Sequence, residues 1–292
     1  IYGGASAKPF ITHHNELDQD MYLRISDELY LKRLIVGGFE KVYEFARDFR
    51  NESVSRFHNP EFTQLEFYWA YVNYDVLMKI TEKLLTYVVK KVTGKLSTEF
   101  QGKKINFKTP FQRITFRDAV LQKTGIDINK IKSEHELKTV LKNKKLHVDF
   151  SGAVGLGASF DALYKEHVRP YLTGPIFLTD YPAEMIALAK KKYDEPQKIA
   201  SFQLLIQGAE LLKAYNELND PADQKSRWLE EESLAKKGAE TTMKLDEDYI
   251  RALEYGMPPT AGWGMGIDRL TQFLTDSPTI KDVILFPSMR NE

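Results

Sequence analysis

Residues 41–74 read KVYEFARDFRNESVSRFHNPEFTQLEFYWAYVNY, and the alternation within them decides the fold. The run predicts a strand, a loop and a second strand. In the first arm Asp48, Arg50 and Glu52 share a face by the two-residue period of a strand. In the second arm Thr63, Leu65, Phe67, Trp69 and Tyr71 face one way, while Phe62, Gln64, Glu66 and Tyr68 face the other. The first set reads as a core face, so the second places its charge on solvent or on a pocket. The loop between carries Arg56, His58 and Asn59, then Pro60. These residue types suit ligand chemistry. An arginine grips a carboxylate or phosphate in a planar fork. Phe62 could stack on a flat ring, and Glu66 with Tyr68 could hold a cation. A solvated face with incidental ion pairs is the plainer reading of the same hairpin.

Composition narrows the classes around this stretch. The 292 residues hold 41 basic and 41 acidic side chains, so net charge draws no polyanion and nucleic acid would need a local patch. The chain has no cysteine, which excludes disulfides, thiolate catalysis and cysteine-ligated zinc. No apolar run approaches the ~20 residues of a membrane helix, and no signal peptide is visible. A soluble intracellular protein is expected. The chain opens at Ile1 without a methionine, which reads as a fragment.

Outward from the hairpin, Gly3-Gly4 fits either close approach to a ligand or a plain turn. Leu23 and Ile25 alternate as a short strand. Ser26 or Asp27 then caps a helix through Leu29, Arg33 and Leu34 that ends at Gly37-Gly38. Beyond Tyr74, Asn73 or Asp75 caps a helix whose apolar stripe is Leu77, Ile80, Leu84, Val88 and Val92, stopped by Gly94. Residues 95–175 change texture, with a hairpin over Phe100–Phe107 and helices over Thr115–Gly125, Ser133–Asn143 and Phe160–Val168. We read residues 108–172 as a helical insert packed on the main sheet. The VGLGAS run at 154–159 lacks a following Lys-Ser or Lys-Thr and is not a phosphate loop. His135, His147 and His167 lack metal-ligand spacing. Ile176–Thr179, Ile199–Ile206 and Glu210–Leu218 read as strands, and Ala183–Lys192, Asp220–Lys237 and Asp246–Tyr255 as helices. In TAGWGMGIDR, 260–269, the glycines Gly262, Gly264 and Gly266 bare one face of a strand that runs into a helix near Ile267.

Two of these stretches resemble known signatures. FRNE (49–52) with HNPEFTQLEFYWAY (58–71) is similar to the second signature of class II aminoacyl-tRNA synthetases, in its lysyl form. TAGWGMGIDR is similar to the third. The resemblance covers nearly the whole chain. It implies an α+β catalytic domain, a mostly antiparallel sheet flanked by helices with a helical insert. The family's N-terminal anticodon-binding domain and first signature have no counterpart in the sequence.

The activity implied is that of a lysine–tRNA ligase. ATP and L-lysine would give lysyl-adenylate, with magnesium, and the lysyl group would pass to the acceptor end of tRNA(Lys). A cytoplasmic homodimer without membrane contact is the family expectation. The resemblance gives Arg50 the bridge between substrate carboxylate and α-phosphate, and Arg269 the γ-phosphate. It puts His58 and Asn59 in the ATP-binding loop, Phe62 on adenine and Glu52 at the adenine amino group. Gly262, Gly264 and Gly266 would floor the nucleotide pocket. Glu217 and Tyr68 would meet the ε-ammonium beside Tyr215. Glu28, Glu66 and the Gly4 backbone would surround the α-amino group. Glu210 would be the magnesium carboxylate. Two residues depart from the family pattern: Gln203 stands where a second metal carboxylate is expected, and Lys213 where asparagine is usual. Two alternatives stand beside the main reading. One, motivated by the missing anticodon-binding domain, is a paralogue that lysylates a protein such as elongation factor P; the other, motivated by Gln203 and Lys213, is a non-catalytic lysine or tRNA binder.

Overall fold

A computed structural model of the chain describes residues 3–5, 7–238 and 243–289. Ile1, Tyr2 and Ser6 of the glycine-bearing opening lie outside them. An exposed hairpin of β1 (Ile11–His14) and β2 (Gln19–Tyr22) precedes helix α1 (Glu28–Val36). Leu23 and Ile25, expected as a strand, instead follow that hairpin as an irregular link, with Leu23 N donating to Phe10 O. The 41–74 stretch folds as strand, loop and strand: β3 (Lys41–Phe49) pairs antiparallel with β4 (Glu61–Ala70).

Helix α2 (Tyr74–Thr93) is capped by Asn73, whose side chain accepts from Val76 N, and ends at Gly94 in the left-handed conformation. A hairpin, β5 (Ser97–Phe100) and β6 (Lys103–Asn106), follows. Next come β7 (Gln112–Thr115), α3 (Phe116–Thr124), α4 (Glu134–Lys144) and α5 (Leu156–His167). The chain continues through β8 (Ile176–Thr179), β9 (Ser201–Ile206) and β10 (Ala209–Asn216). It closes with α6 (Pro221–Lys236), α7 (Glu247–Glu254), β11 (Thr260–Gly266) and α8 (Ile267–Leu274).

Seven strands form the main sheet in the order β3-β4-β11-β10-β9-β8-β7, antiparallel except for the parallel pair β7-β8. Edge strand β7 comes from within the 108–172 segment, so that segment extends the sheet as well as packing on it. Each sheet face is covered. On one, Phe67, Trp263, Met265, Leu212, Ala214 and Leu204 meet Leu77, Leu85 and Val89 of α2 and Phe273 of α8. Phe67 stacks on Trp263 with ring centres 4.9 Å apart. On the other, α1, α6 and α7 bury Leu29, Trp228 and Tyr249 beside Tyr68. A third cluster joins α3, α4 and α5 to β8 and β9.

The two faces of β4 separate as the alternation predicts, with Leu65 and Phe67 on the core and Gln64, Glu66 and Tyr68 on a cleft, but double coverage buries the polar face more deeply. Glu66 and Tyr68, on the polar face, are 5% and 3% exposed, whereas Leu65 and Phe67 are only half-buried. Tyr71, placed on the core face, lies past the strand end at φ 65° and is exposed. The stripe on α2 shifts as well. Leu77, Met78, Thr81, Leu85 and Val89 are buried, while Val92 is exposed. Thr81 can sit inside because its hydroxyl donates to Leu77 O (2.7 Å) and accepts from Trp263 Nε1 (2.8 Å). Leu85→Ala should therefore cost about 2–5 kcal/mol in urea unfolding, and Val92→Ala should stay within about 0.5 kcal/mol.

The helix expected over Ala183–Lys192 is also absent. Beyond a short 3₁₀ turn at Ala183–Met185 the chain is extended, with bridges from Ala189 to Glu217 and from Lys191 to Ile199. Arg227 Nη1 donates to the carbonyls of Ala187 (3.4 Å) and Ala189 (2.6 Å). A helix would have spent those acceptors internally.

Candidate active site

One cleft of about 1520 Å³ opens on the sheet face opposite α2. Strand alternation chooses its lining. Gln64, Glu66 and Tyr68 of β4 lie in register with Gly266, Gly264 and Gly262 of β11. Across β11, Gly264 and Gly262 face Lys213 and Tyr215 of β10, and Lys213 faces Gln203 of β9. Alternation alone would turn Glu210 away from this set, three residues from Lys213. A bulge between Glu210 and Leu212 inserts an extra residue and brings Glu210 back to the cleft face.

The far end of the cleft is acidic and buried. Glu28 opens α1, its amide held by Ser26 Oγ at 3.2 Å, and Tyr215 donates to Glu28 Oε2 at 2.8 Å. Tyr68 donates to Glu66 Oε2 at 3.1 Å, and Gln64 Nε2 donates to Glu66 Oε1. Burial pushes the Glu66 carboxyl well above the usual range, and the Glu28 charge adds to the push. Glu217 is 1% exposed, and its Oε1 has no hydrogen-bond partner among the described residues. A Cβ on Gly262 would press on that oxygen and stand 2.5 Å from a Tyr68 ring carbon, so glycine is required there. Gly4, at φ +86°, also lines this end.

The near end is basic. Arg50 lies just past β3; its Nε donates to Ile25 O at 3.2 Å, and its guanidinium carbon sits 5.0 Å from the Phe62 ring centre. Arg269, in the first turn of α8, is pinned by Nε to Phe57 O (3.1 Å) and by Nη1 to Glu210 O (2.7 Å). His58 accepts or donates at Nδ1 with Ser55 Oγ, 2.6 Å away. Surrounding protein first, and the Arg269 charge second, lower its pKa to about 4, so the imidazole is neutral at pH 7. Glu52 lines the cleft from the open loop.

Asn59 also lines the cleft, but its amide is spent within the chain. Nδ2 donates to Glu61 O (2.7 Å), and Oδ1 accepts from Ser288 N (3.3 Å). The three-residue face Asp48, Arg50, Glu52 does not hold. Asp48 is fully buried on β3 beside Arg24 (3.8 Å), and only Arg50 and Glu52 reach the cleft.

Sequence reasoning passed over Lys32, Arg169 and the wall of the insert. Lys32 carries a signal, four residues after Glu28 among the buried positions of α1. Arg169 lines the cleft and adds its charge to that of Arg269, but nothing local in the sequence marks it. The two departures sit side by side. Gln203 Oε1 accepts the Tyr181 hydroxyl at 2.5 Å, and Lys213 Nζ lies 6.0 Å from the Tyr215 ring centre. Among the described residues no trio of histidine, aspartate or glutamate is disposed to hold a metal ion.

A cleft with carboxylates at one end and guanidiniums at the other suits a small amine next to a polyanion. The family model for class II tRNA synthetases (D, K and N) matches residues 1–290. A lysine–tRNA ligase of Carboxydothermus hydrogenoformans is 51% identical over 290 residues, 99% of this chain and 59% of that protein. One from Christiangramia forsetii is 48% identical over 292 residues, 100% of this chain and 51% of that protein. One from Thermoanaerobacter pseudethanolicus is 49% identical over 290 residues, 99% of this chain and 58% of that protein. The chain thus spans 51–59% of the length of these relatives.

Proposed function

The chain belongs to the class II tRNA synthetases (D, K and N), and from that membership we propose that its cleft activates L-lysine with ATP and passes the lysyl group to tRNA(Lys). The observation that carries the choice of lysine is Glu217, a buried carboxylate with an oxygen left without a hydrogen bond at the acidic end. Leaving such an atom unpaired costs several kcal/mol, about what an incoming ammonium recovers.

In the reaction proposed, a carboxylate oxygen of lysine attacks the α-phosphorus of ATP, and the bond to pyrophosphate breaks. Both reactants are anionic, so the protein's task is to offset charge and hold them in line. Arg50, between the acidic end and Phe62, meets the lysine carboxylate and the α-phosphate together. Phe62 supports adenine, and Glu52 reaches its amino group. The His58–Asn59 loop shapes the nucleotide's path, with Asn59 acting through its backbone ties. Arg269, fixed at two nitrogens, presents its charge to the γ-phosphate, and Gly264 and Gly266 keep side chains off the floor. At the other end Glu217 and Tyr68 take the ε-ammonium beside Tyr215. Glu28, Glu66 and the Gly4 backbone surround the α-amino group. A ribose hydroxyl at the 3′ end of tRNA then attacks the adenylate, and AMP leaves.

Magnesium needs hard oxygen ligands. Glu210 supplies one carboxylate at the nucleotide end, whereas Gln203 is neutral and already engaged by Tyr181. This set fits an ion that brings most of its oxygens with the triphosphate, Glu210 being the protein's contribution. When bound, the ion offsets phosphate charge.

Homodimerisation in the cytoplasm is part of the same reading. Edge strand β3 supports the dimer, with Tyr43 and Phe45 exposed on it. No helix among the described residues is long and apolar enough to cross a membrane.

The test is amino-acid-dependent ATP–pyrophosphate exchange. Lysine should drive it; equal exchange with ornithine, arginine or no amino acid would overturn the proposal. Gly262→Ala should weaken lysine binding about 100-fold, read by calorimetry, because its Cβ moves both Glu217 and the Tyr68 ring.

A further inference from the structure

Behind the carboxylates of the cleft lies a fixed ammonium. Lys32 is 0% exposed, and its Nζ donates to Glu28 Oε1 at 2.5 Å and pairs with Glu217 Oε2. The rings of Tyr68 and Tyr215 stand 5.9 and 5.8 Å from it. It does not line the cleft itself. We propose that Lys32 is a positioning residue for amino-acid choice: it takes one oxygen of Glu217, favours the charged form of that carboxylate, and leaves the other oxygen for the substrate's ε-ammonium. The inference rests on the lysine reading above and deepens it.

Charge balance carries the argument. Glu28, Glu66 and Glu217 are all buried within this end of the cleft. Neighbouring buried carboxylates cannot all stay ionised without cations close by. Without Lys32, Glu217 would hold its proton to higher pH, and a substrate ammonium would have to displace it across a wider range. With Lys32 in place, one of the three carboxylate charges is answered from within. Two remain, matching the α- and ε-ammonium groups of free lysine. Geometry agrees, since Lys32 forms its ion pair with Oε2, whereas Oε1, beside Gly262, has neither an ion pair nor a hydrogen bond among the described residues.

The groups facing Glu217 are Lys32 and Glu28 from α1, Tyr68 from β4, Tyr215 from β10 and Tyr249 from α7. Burial raises the Glu217 carboxyl to about 8, with Lys32 pulling it down and Glu28 pushing it up. Burial works against the Lys32 ammonium, but the Glu217 and Glu28 charges outweigh it and hold its pKa above the ordinary value.

The experiment is calorimetric binding of L-lysine and L-norleucine to the whole chain between about pH 6.5 and 9, spanning the reference range of a perturbed carboxyl. For the unaltered protein, lysine affinity should rise with pH and level off near 8. Lys32→Met should bind lysine at least about tenfold more weakly at pH 7 and keep gaining about tenfold per pH unit, as displacement of one proton requires. Its preference for lysine over norleucine should shrink at pH 7. A Lys32→Met curve that overlays the unaltered one would overturn the inference. If circular dichroism shows that Lys32→Met does not fold, Lys32→Arg decides. Levelling at the unaltered pH supports the inference, and a curve still climbing at pH 9 overturns it. Absence of lysine binding by the unaltered protein would instead sink the parent reading.

Discussion

Arg50→Ala is expected to lower lysine-dependent ATP–pyrophosphate exchange about 10²–10³-fold while the protein stays folded. Arg50 lies past the end of β3, and its hydrogen bond to Ile25 O is a modest structural tie. Its larger role is to stand between the acidic pocket and the Phe62 ring. Arg47, on β3 itself, is more than half exposed and pairs with Glu61 at 3.1 Å. Arg47→Ala should leave exchange within about twofold, since exposed ion pairs contribute little. Steady-state exchange at saturating lysine and ATP separates the two variants.

Glu217→Gln should be at least as damaging, with a loss of about 10³-fold or more in kcat/KM for lysine. The amide keeps the shape and removes the charge. Lys32 would then answer to Glu28 alone, and a substrate ammonium would meet a neutral group beside a fixed cation. Buried polar sites reject the wrong partner because something is left unpaired. The defect should therefore appear for lysine and not for ATP, whose contacts lie at the arginine end. Nucleotide affinity unchanged, with lysine affinity lost, is the signature to look for.

Much of this arrangement is legible in the sequence because β-strand alternation is strict. The stretch 41–74 and the run 260–266 put Glu66, Tyr68 and the three glycines on one face by pattern alone, and the register of β4 with β11 agrees. What alternation cannot reveal is an interruption of itself. The bulge before Leu212 is what turns Glu210 toward the cleft, and only the resemblance to a known family gives it a role. Long-range contacts were equally hidden. Ala183–Lys192 has helical composition, but Arg227, some forty residues onward, takes its carbonyls and holds it extended. Lys32 was missed because a lysine four residues after a glutamate is the usual mark of a solvated helix face. Its neighbours Leu29, Leu31 and Ile35 are buried with it, and that clue was present in the sequence.

A crystal structure with L-lysine and a non-hydrolysable ATP analogue would test the division of the cleft into an amine end and a phosphate end. The ε-ammonium should lie within salt-bridge distance of Glu217, the adenine against Phe62 and the triphosphate on Arg269. An amine seated beside Arg269, or either molecule bound outside the space between β4 and β11, would contradict it.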